Sequence, residues 1–452
     1  MRQVPKLARA APCKMPDELP AVSHGRSANR PDIPALTGLR FVAAFSVLIA
    51  HGCAAILADY ETPYGAIYWL RQASGFGMTL FFVLSGFVIH YNYAHLVTAA
   101  GARGMGSYLW ARFARLYPLF LLMMLVYVLV SSRHLDFWSG HPERLNSTFR
   151  ALPYFLFSVQ SWFYVVIDGN PLLDAIGGAS PITWSISTEW FFYFVYLALV
   201  GLILRSRTPL ATLVVIALWC LVWSAIAAAL YGGAAPINDW AVAHFGPVAD
   251  FDARPQDSFV RWLLYFSPYL RLGEFVLGSL AAHLYVQTRS QKASALENTA
   301  GMAVFAAAAA SVVWITYAEY SPNVGTTIFR ETNMNFALAP CAALLIFCAA
   351  RYRGEIFRPL TWPPIIALGE SSYSIYLIHL VVLTAAARLL APAAHGVFYG
   401  AGELLVLIIL ILLISVALYA YYEAPARRIL RGLWRYQLPP VRSPAPGRRQ
   451  MP

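Results

Sequence analysis

A bundle of about ten membrane-crossing helices with both chain ends in the cytoplasm, an all-α polytopic fold, is what this sequence predicts. Three observations carry the prediction. Of 452 residues, 59% are apolar and 12% charged, with a mean hydropathy of +0.57. A soluble globular protein carries about 25% charged residues, so this chain has too little polar surface to cover a water-soluble body of its size. Its apolar residues gather into stretches near the ~20 residues that a bilayer core requires. Its basic residues fall on alternate connections between those stretches.

In chain order the expected crossings are 35–58, 76–96, 113–132, 184–204, 209–231, 259–286, 300–318, 335–350, 363–391 and 400–422. The eighth is short and the sixth long, which leaves tilt or re-entrance open at those two. The longest connections, 133–183 and 232–258, are too short for a soluble domain, and no internal repeat is visible. Residues 1–32 are basic and Pro-rich and lack the apolar core of a signal peptide. They are expected to form a disordered cytoplasmic tail, followed by one transmembrane domain over 33–430 and a second basic tail over 431–452.

With the N-terminus inside, 23 of the 33 Lys and Arg lie in the tails and inner connections, counting Arg115 at the inner edge of the third crossing with them, and six in the outer ones. That is a positive-inside distribution. The net charge of +11 is therefore an insertion signal, and a nucleic-acid partner is excluded. The five cysteines form no CxxC pair, and the ten histidines show no ligand spacing such as HExxH, so no metal site is expected.

Charged side chains inside the crossings cost on the order of 2.5–3.5 kcal/mol each on insertion scales and should face the protein interior. The first crossing carries Arg40 and His51. Eleven residues at ~100° per residue place both on one helix face, about 16 Å apart along the axis. Arg40 either snorkels to the interface or binds an anion. His51 lies deeper and is either hydrogen-bonded in the interior or a general base. In the second crossing Ser85–Gly86 permits close helix packing or leaves room for a ligand. The fourth opens with Trp184-Ser185 and holds Glu189 among aromatics, as an interfacial carboxylate or as the partner of a cation or hydroxyl. Arg271 and Glu274 stand i, i+3 in the sixth and read as an internal ion pair. Tyr373, Tyr376 and His379 follow at i+3 steps in the ninth, as a bundle seam or a cavity lining. Polar interior faces on at least five helices suggest a shared cavity.

Taken in order, these segments resemble the integral-membrane acyltransferase family three. The motifs are Leu36-Thr-Gly38-Leu39-Arg40 with His51 eleven residues on, Phe81-Phe82-Val-Leu-Ser85-Gly86-Phe87 and Arg112-Phe-Ala-Arg115-Leu-Tyr117-Pro118. They continue with Trp184-Ser185, Glu189, Phe192-Tyr193, Arg271, Glu274-Phe275, Gly278, Ser372-Tyr373-Ser-Ile-Tyr376-Leu-Ile-His379 and Glu423-Ala-Pro425. The resemblance spans roughly 33–430. Thr37 stands where the family often has Asp, and Trp190 and Phe191 replace polar residues usual after the Glu; neither departure touches the Arg40/His51 pair.

The resemblance implies transfer of an acyl group, usually acetyl, from cytoplasmic acyl-coenzyme A to a hydroxyl of an extracytoplasmic glycan or lipid-linked sugar, in a bacterial inner membrane. No tightly bound cofactor is implied; acyl-CoA is a co-substrate. Arg40, Arg112 and Arg115 would hold the coenzyme's phosphates, and its arm would pass Ser85–Gly86 towards His51 as the base. Glu189 would orient that imidazole or bind the sugar, and Tyr373 or Tyr376 would stabilise the oxyanion. Arg271, Glu274, His379, Trp184 and Ser185 would shape the cavity. A ping-pong route through acyl-His51 or acyl-Ser85, a non-glycan acceptor, a secondary transporter and an inactive scaffold are the alternatives. Oligomeric state is not encoded in any of these features.

Overall fold

In a computed structural model the described residues are 31–130, 142–174, 180–320, 335–389 and 396–434. Of the expected tails over 1–32 and 431–452, residues 1–30 and 435–452 lie outside them. The described residues from Ile33 onward form one unit made almost entirely of helices.

The helices are α1 (Pro34–Ile56), α2 (Ala66–Arg71), α3 (Ala73–Ala99), α4 (Gly101–Val130), α5 (Pro142–Leu156), α6 (Ser180–Ile203), α7 (Pro209–Gly232) and α8 (Ala234–Phe245). There follow α9 (Pro268–Thr288), α10 (Ala295–Tyr320), α11 (Asn335–Arg351), α12 (Pro363–Glu370), α13 (Ser372–Leu389), α14 (Val397–Leu418) and α15 (Ala424–Leu433). The described residues of all ten expected segments are mainly helical. Seven helical spans are long and apolar enough to cross a membrane, and the bent pair α12–α13 makes an eighth. The other two are α11, which is short, and α9, whose Arg271, Glu274 and His283 lower its hydropathy.

Local chemistry sets the breaks. Proline opens α1, α7, α9 and α12, where its missing N–H forfeits no helical hydrogen bond. Thr208 caps α7 by accepting from the Ala211 amide. The long sixth segment is not one helix. A single turn at Phe259–Arg261 and a π-helical turn at Trp262–Phe266 stop at Ser267, whose backbone is extended (φ −67°, ψ 146°) because Pro268 follows. Between α12 and α13 the axis bends by 69° at Ser371, whose hydroxyl donates back to the Ala367 and Leu368 carbonyls.

α3 is the hub. It packs on α1, α4, α6, α9 and α11, while α13 packs on α1 and α14. The contact between α3 and α9 is close because it is built on glycines. A Cβ on Gly86 would collide with the Phe275 carbonyl, and one on Gly278 with the Val83 carbonyl. Of the two readings of Gly86, the structure therefore supplies helix packing. α7 lies outermost and carries a largely exposed apolar surface, including Leu210, Leu221 and Leu218, as a lipid-facing helix does.

Helix α5 and a short hairpin lie in the connection 133–183 and have no counterpart among the expected crossings. Strands β1 (Val166–Ile167) and β2 (Asn170–Pro171) pair antiparallel around Asp168 and Gly169, both with positive φ (50° and 76°). An Asp-Gly turn of this hand is the favoured two-residue hairpin connection. Ser147 and Arg150 of α5 hold the Asp168 carboxylate.

Candidate active site

Two cavities run through the bundle and share walls at Met78 and Tyr376. The first is lined by Arg40, Arg112, Arg115, Ser85, Glu189 and Tyr373, among others. The second is lined by His51, Trp184, Asp174, Asp257, Arg261 and several aromatics. α1 thus presents Arg40 to one chamber and His51, three turns on, to the other.

The histidine chamber contains the group best suited to proton transfer. His51 Nδ1 lies 2.9 Å from His379 Nε2, and the rings are within 12° of parallel with centroids 5.1 Å apart. His379 Nδ1 lies 3.2 Å from the Ile375 carbonyl. A carbonyl only accepts, so His379 Nδ1 carries its proton and its Nε2 is the acceptor. His51 then donates from Nδ1, which leaves its Nε2 with a free lone pair. The orienting partner of His51 is therefore His379. Glu189 does not fill that role: it lines the other chamber, where Ser85 Oγ donates to its Oε1 at 2.8 Å.

The two tyrosines of the α13 stripe have their hydroxyls committed elsewhere. Tyr373 donates to the Leu116 carbonyl at 2.9 Å. Tyr376 and Ser185 are 2.7 Å apart, and both reach the Ile182 carbonyl at 3.0 Å. In this geometry both phenol hydroxyls of the expected oxyanion pair are engaged by protein oxygens. Tyr376 instead stands as a pinned wall between the chambers, with its ring against Phe81 and His379.

Arg271 and Glu274 line neither chamber. They form a buried ion pair at 2.9 Å, with Arg271 Nε donating to the Tyr265 carbonyl and Thr79 donating to Glu274. The guanidinium sits 4.6 Å from the Tyr265 ring centroid, 5.5 Å from that of Trp184 and 5.6 Å from that of Phe82. It therefore braces the aromatic wall from behind. Gly86 also lies off the arginine chamber, in the α3–α9 contact, whereas Ser85 faces the cavity.

The histidine chamber is closed by residues that were not singled out from the sequence. The β1–β2 hairpin supplies Val165 and Pro171, and the turns before α9 supply Gln256, Asp257, Ser258, Arg261 and Trp262. Tyr164 donates to the Asp257 carbonyl at 2.9 Å. Burial, with the Asp257 carboxylate second, pushes the Tyr164 hydroxyl above its ordinary pKa, so it remains a neutral group. The Asp168-Gly169 turn was the available signal for the hairpin. Among the described residues no group of three or more His, Cys, Asp or Glu is placed to hold a metal ion.

Comparison with known proteins decides the family. Residues 33–420 match the family described as "Acyltransferase domain". The chain belongs to that family of acyltransferases. It is similar to "Acyltransferase MdmB" of Streptomyces mycarofaciens, at 26% identity over 410 residues covering 88% of this chain and 92% of the relative. It is similar also to "Putative peptidoglycan O-acetyltransferase YrhL" of Bacillus subtilis (strain 168), at 26% identity over 366 residues covering 78% of this chain and 48% of the relative. A shorter likeness, 27% over 123 residues, covers 27% of this chain and 24% of "Regulator of hypoxia-inducible factor 1" of Caenorhabditis elegans. No solved structure matches it. The acyltransferase is thus an enzyme of the membrane, crossing it several times.

Proposed function

We propose that the enzyme transfers an acyl group, acetyl by preference, from cytoplasmic acyl-coenzyme A to a hydroxyl of an extracytoplasmic glycan or lipid-linked sugar. The donor enters the arginine chamber, and the acceptor enters the histidine chamber. His51 is the general base. The observation that carries this reading is the His51–His379 pair: its tautomers leave one unprotonated ring nitrogen on the wall of the second chamber, beside the residues shared with the first.

The step balances simply. The acceptor oxygen attacks the thioester carbonyl carbon while its proton passes to His51 Nε2. The C–S bond breaks, the ester remains on the acceptor, and the coenzyme thiolate takes the proton back from His51. His379 stabilises the transient imidazolium by accepting from Nδ1. In the arginine chamber, the Arg40, Arg112 and Arg115 guanidiniums suit a phosphorylated donor. In the other chamber, the flat faces of Trp184, Trp262 and Tyr265, together with the carboxamide and carboxylate groups of Gln256 and Asp257, suit a neutral sugar ring. The basic tails and connections support placing the arginine chamber on the cytoplasmic side.

The test uses cells with the gene deleted, restored, or restored as His51→Ala. Ester-linked acyl groups on envelope polysaccharide are measured by proton NMR before and after mild base, and purified enzyme is assayed for thiol release from acetyl-CoA. Esters that disappear on deletion and return only with His51 support the reading. Equal ester content in all three strains rejects the glycan acceptor, and absence of thiol release rejects the donor.

A further inference from the structure

We propose that Arg427 and Arg431, on the short helix after the last long apolar span, complete the donor site by binding phosphate groups of the coenzyme's nucleotide. The inference rests on the acyl-coenzyme A reading above. Helix α15 is held along the start of α4 by three contacts. Trp110 Nε1 donates to the Leu430 carbonyl at 2.8 Å, the Trp434 ring stacks on Trp110 at 5.7 Å, and Trp434 Nε1 donates to Ser107 Oγ at 2.9 Å. Just before α15, Tyr422 donates to the Pro118 carbonyl at 3.1 Å. These contacts lay α15 beside the part of α4 that carries Arg112 and Arg115.

Arg427 and Arg431 are one turn apart, on the half-buried side of α15, while Arg428 between them is exposed. Arg431 interacts electrostatically with Arg112, Arg427 and Arg115, and Arg40 with Arg115, Arg112 and Arg427. Five guanidiniums therefore converge: Arg40, Arg112, Arg115, Arg427 and Arg431. The carboxylates among them are Glu189 and Glu423, each accepting from a serine, Ser85 and Ser374. None of the five arginines forms a salt bridge with a carboxylate among the described residues. The Nε groups of Arg112 and Arg431 are buried with no hydrogen-bond partner.

Like charges brought together in a half-buried place repel one another, and two carboxylates, Glu189 and Glu423, offset only part of five positive charges. Such an arrangement stabilises a bound polyanion far more than it stabilises the empty fold. Coenzyme A carries its charge at one end, as a pyrophosphate and a phosphomonoester, and its thioester at the other end of an uncharged arm. With the thioester near Met78 and Tyr376, the charged end falls at the mouth of the arginine chamber, beside α15. Guanidinium forks bind phosphate oxygens in pairs, which lysine cannot reproduce. A phospholipid headgroup offers the same chemistry, and the test separates the two.

Affinity for coenzyme A, 3′-dephospho-coenzyme A and pantetheine is measured by displacement of radiolabelled acetyl-CoA from enzyme in neutral detergent. The enzymes compared are wild type, Arg427→Ala, Arg431→Ala, the double variant, Arg427→Lys/Arg431→Lys and the control Arg428→Ala. Each alanine is expected to weaken coenzyme A binding by about tenfold, the cost of a lost charge-assisted hydrogen bond, with pantetheine binding unchanged. The lysine pair should keep part of the affinity, and Arg428→Ala all of it. A loss that shrinks for 3′-dephospho-coenzyme A assigns the arginines to the phosphomonoester, and an equal loss assigns them to the pyrophosphate; both support the proposal. Variants that match wild type, variants that lose pantetheine binding equally, or an effect confined to anionic lipid vesicles would overturn it. If wild type itself neither binds coenzyme A nor releases thiol from acetyl-CoA, the donor reading fails first.

Discussion

His379 Nε2 accepts from His51 Nδ1 at 2.9 Å, and the Ile375 carbonyl fixes the tautomer that lets it do so. In the proposed mechanism His379 is a positioning residue, acting on the acceptor through His51. If His51 is the base, replacing it with alanine should lower turnover by about 10²–10⁴-fold. Replacing His379 with alanine leaves His51 intact but free to carry its proton on either nitrogen. Turnover should fall by roughly 10–10²-fold while KM for acetyl-CoA holds. His379→Gln, whose side-chain oxygen can accept from Nδ1, should recover part of the loss and keep the wild-type shape of the pH–rate profile. A KM effect without a turnover effect would show that the pair serves donor binding instead.

Met78 and Tyr376 are the residues common to both chambers, but they differ in freedom. Tyr376 is pinned through its hydroxyl to Ser185 and the Ile182 carbonyl, whereas the Met78 side chain, only 4% exposed, has three rotatable bonds and a thioether. In the proposed reaction the acyl group passes between them to reach His51. Met78→Ala should therefore raise the ratio of butyryl to acetyl transfer by about tenfold, the scale that a few methylenes of pocket space command. Met78→Leu, close in volume, should keep the wild-type ratio. Competing acyl-CoA donors in one reaction measure the ratio independently of how much enzyme folds.

The described residues of all ten expected apolar segments are mainly helical, because apolar length and Pro, Thr and Ser signals at the ends are local properties of the sequence. What escaped was non-local. The i+3 stripe of α13 reads as one face, yet Tyr373 binds the Leu116 carbonyl of α4 while His379 meets His51 of α1. Nothing in α1 announces that its histidine will be held by another histidine 328 residues away. Glu189 offered the same ambiguity, and its partner Ser85 lies 104 residues upstream. The break at Ser267 was legible in Pro268, but the apolar run across it was long enough to hide the signal.

Gly86 gives a stability prediction. Its α-carbon faces the Phe275 backbone of α9, where the collision would be with a carbonyl and cannot be relieved by a rotamer change. Gly86→Ala should push α3 and α9 apart and cost about 1–3 kcal/mol, read as lower yield and an earlier thermal transition in detergent. Gly402→Ala in α14 is the comparison. Nothing lies within 4 Å of the added methyl there, so that variant should be neutral or slightly more stable.

The Arg271–Glu274 pair separates bracing from catalysis. Both side chains are almost wholly buried (0% and 1% exposed), and neither faces a chamber. Glu274→Ala leaves a guanidinium inside the bundle with its charge uncompensated, since its remaining named contacts are the Tyr265 carbonyl and aromatic faces. Breaking a buried pair in this way costs on the order of 3–5 kcal/mol, so the variant should accumulate poorly and unfold early. Replacing both residues, as Arg271→Met with Glu274→Leu, removes the stranded charge and should recover most of that loss. The doubly substituted enzyme would still lack the cation behind Trp184 and Tyr265. Its donor affinity should match wild type, while its KM for the acceptor rises, because the loosened wall belongs to the histidine chamber. A rise in KM for acetyl-CoA instead would place the brace on the donor side and exchange the roles of the two chambers.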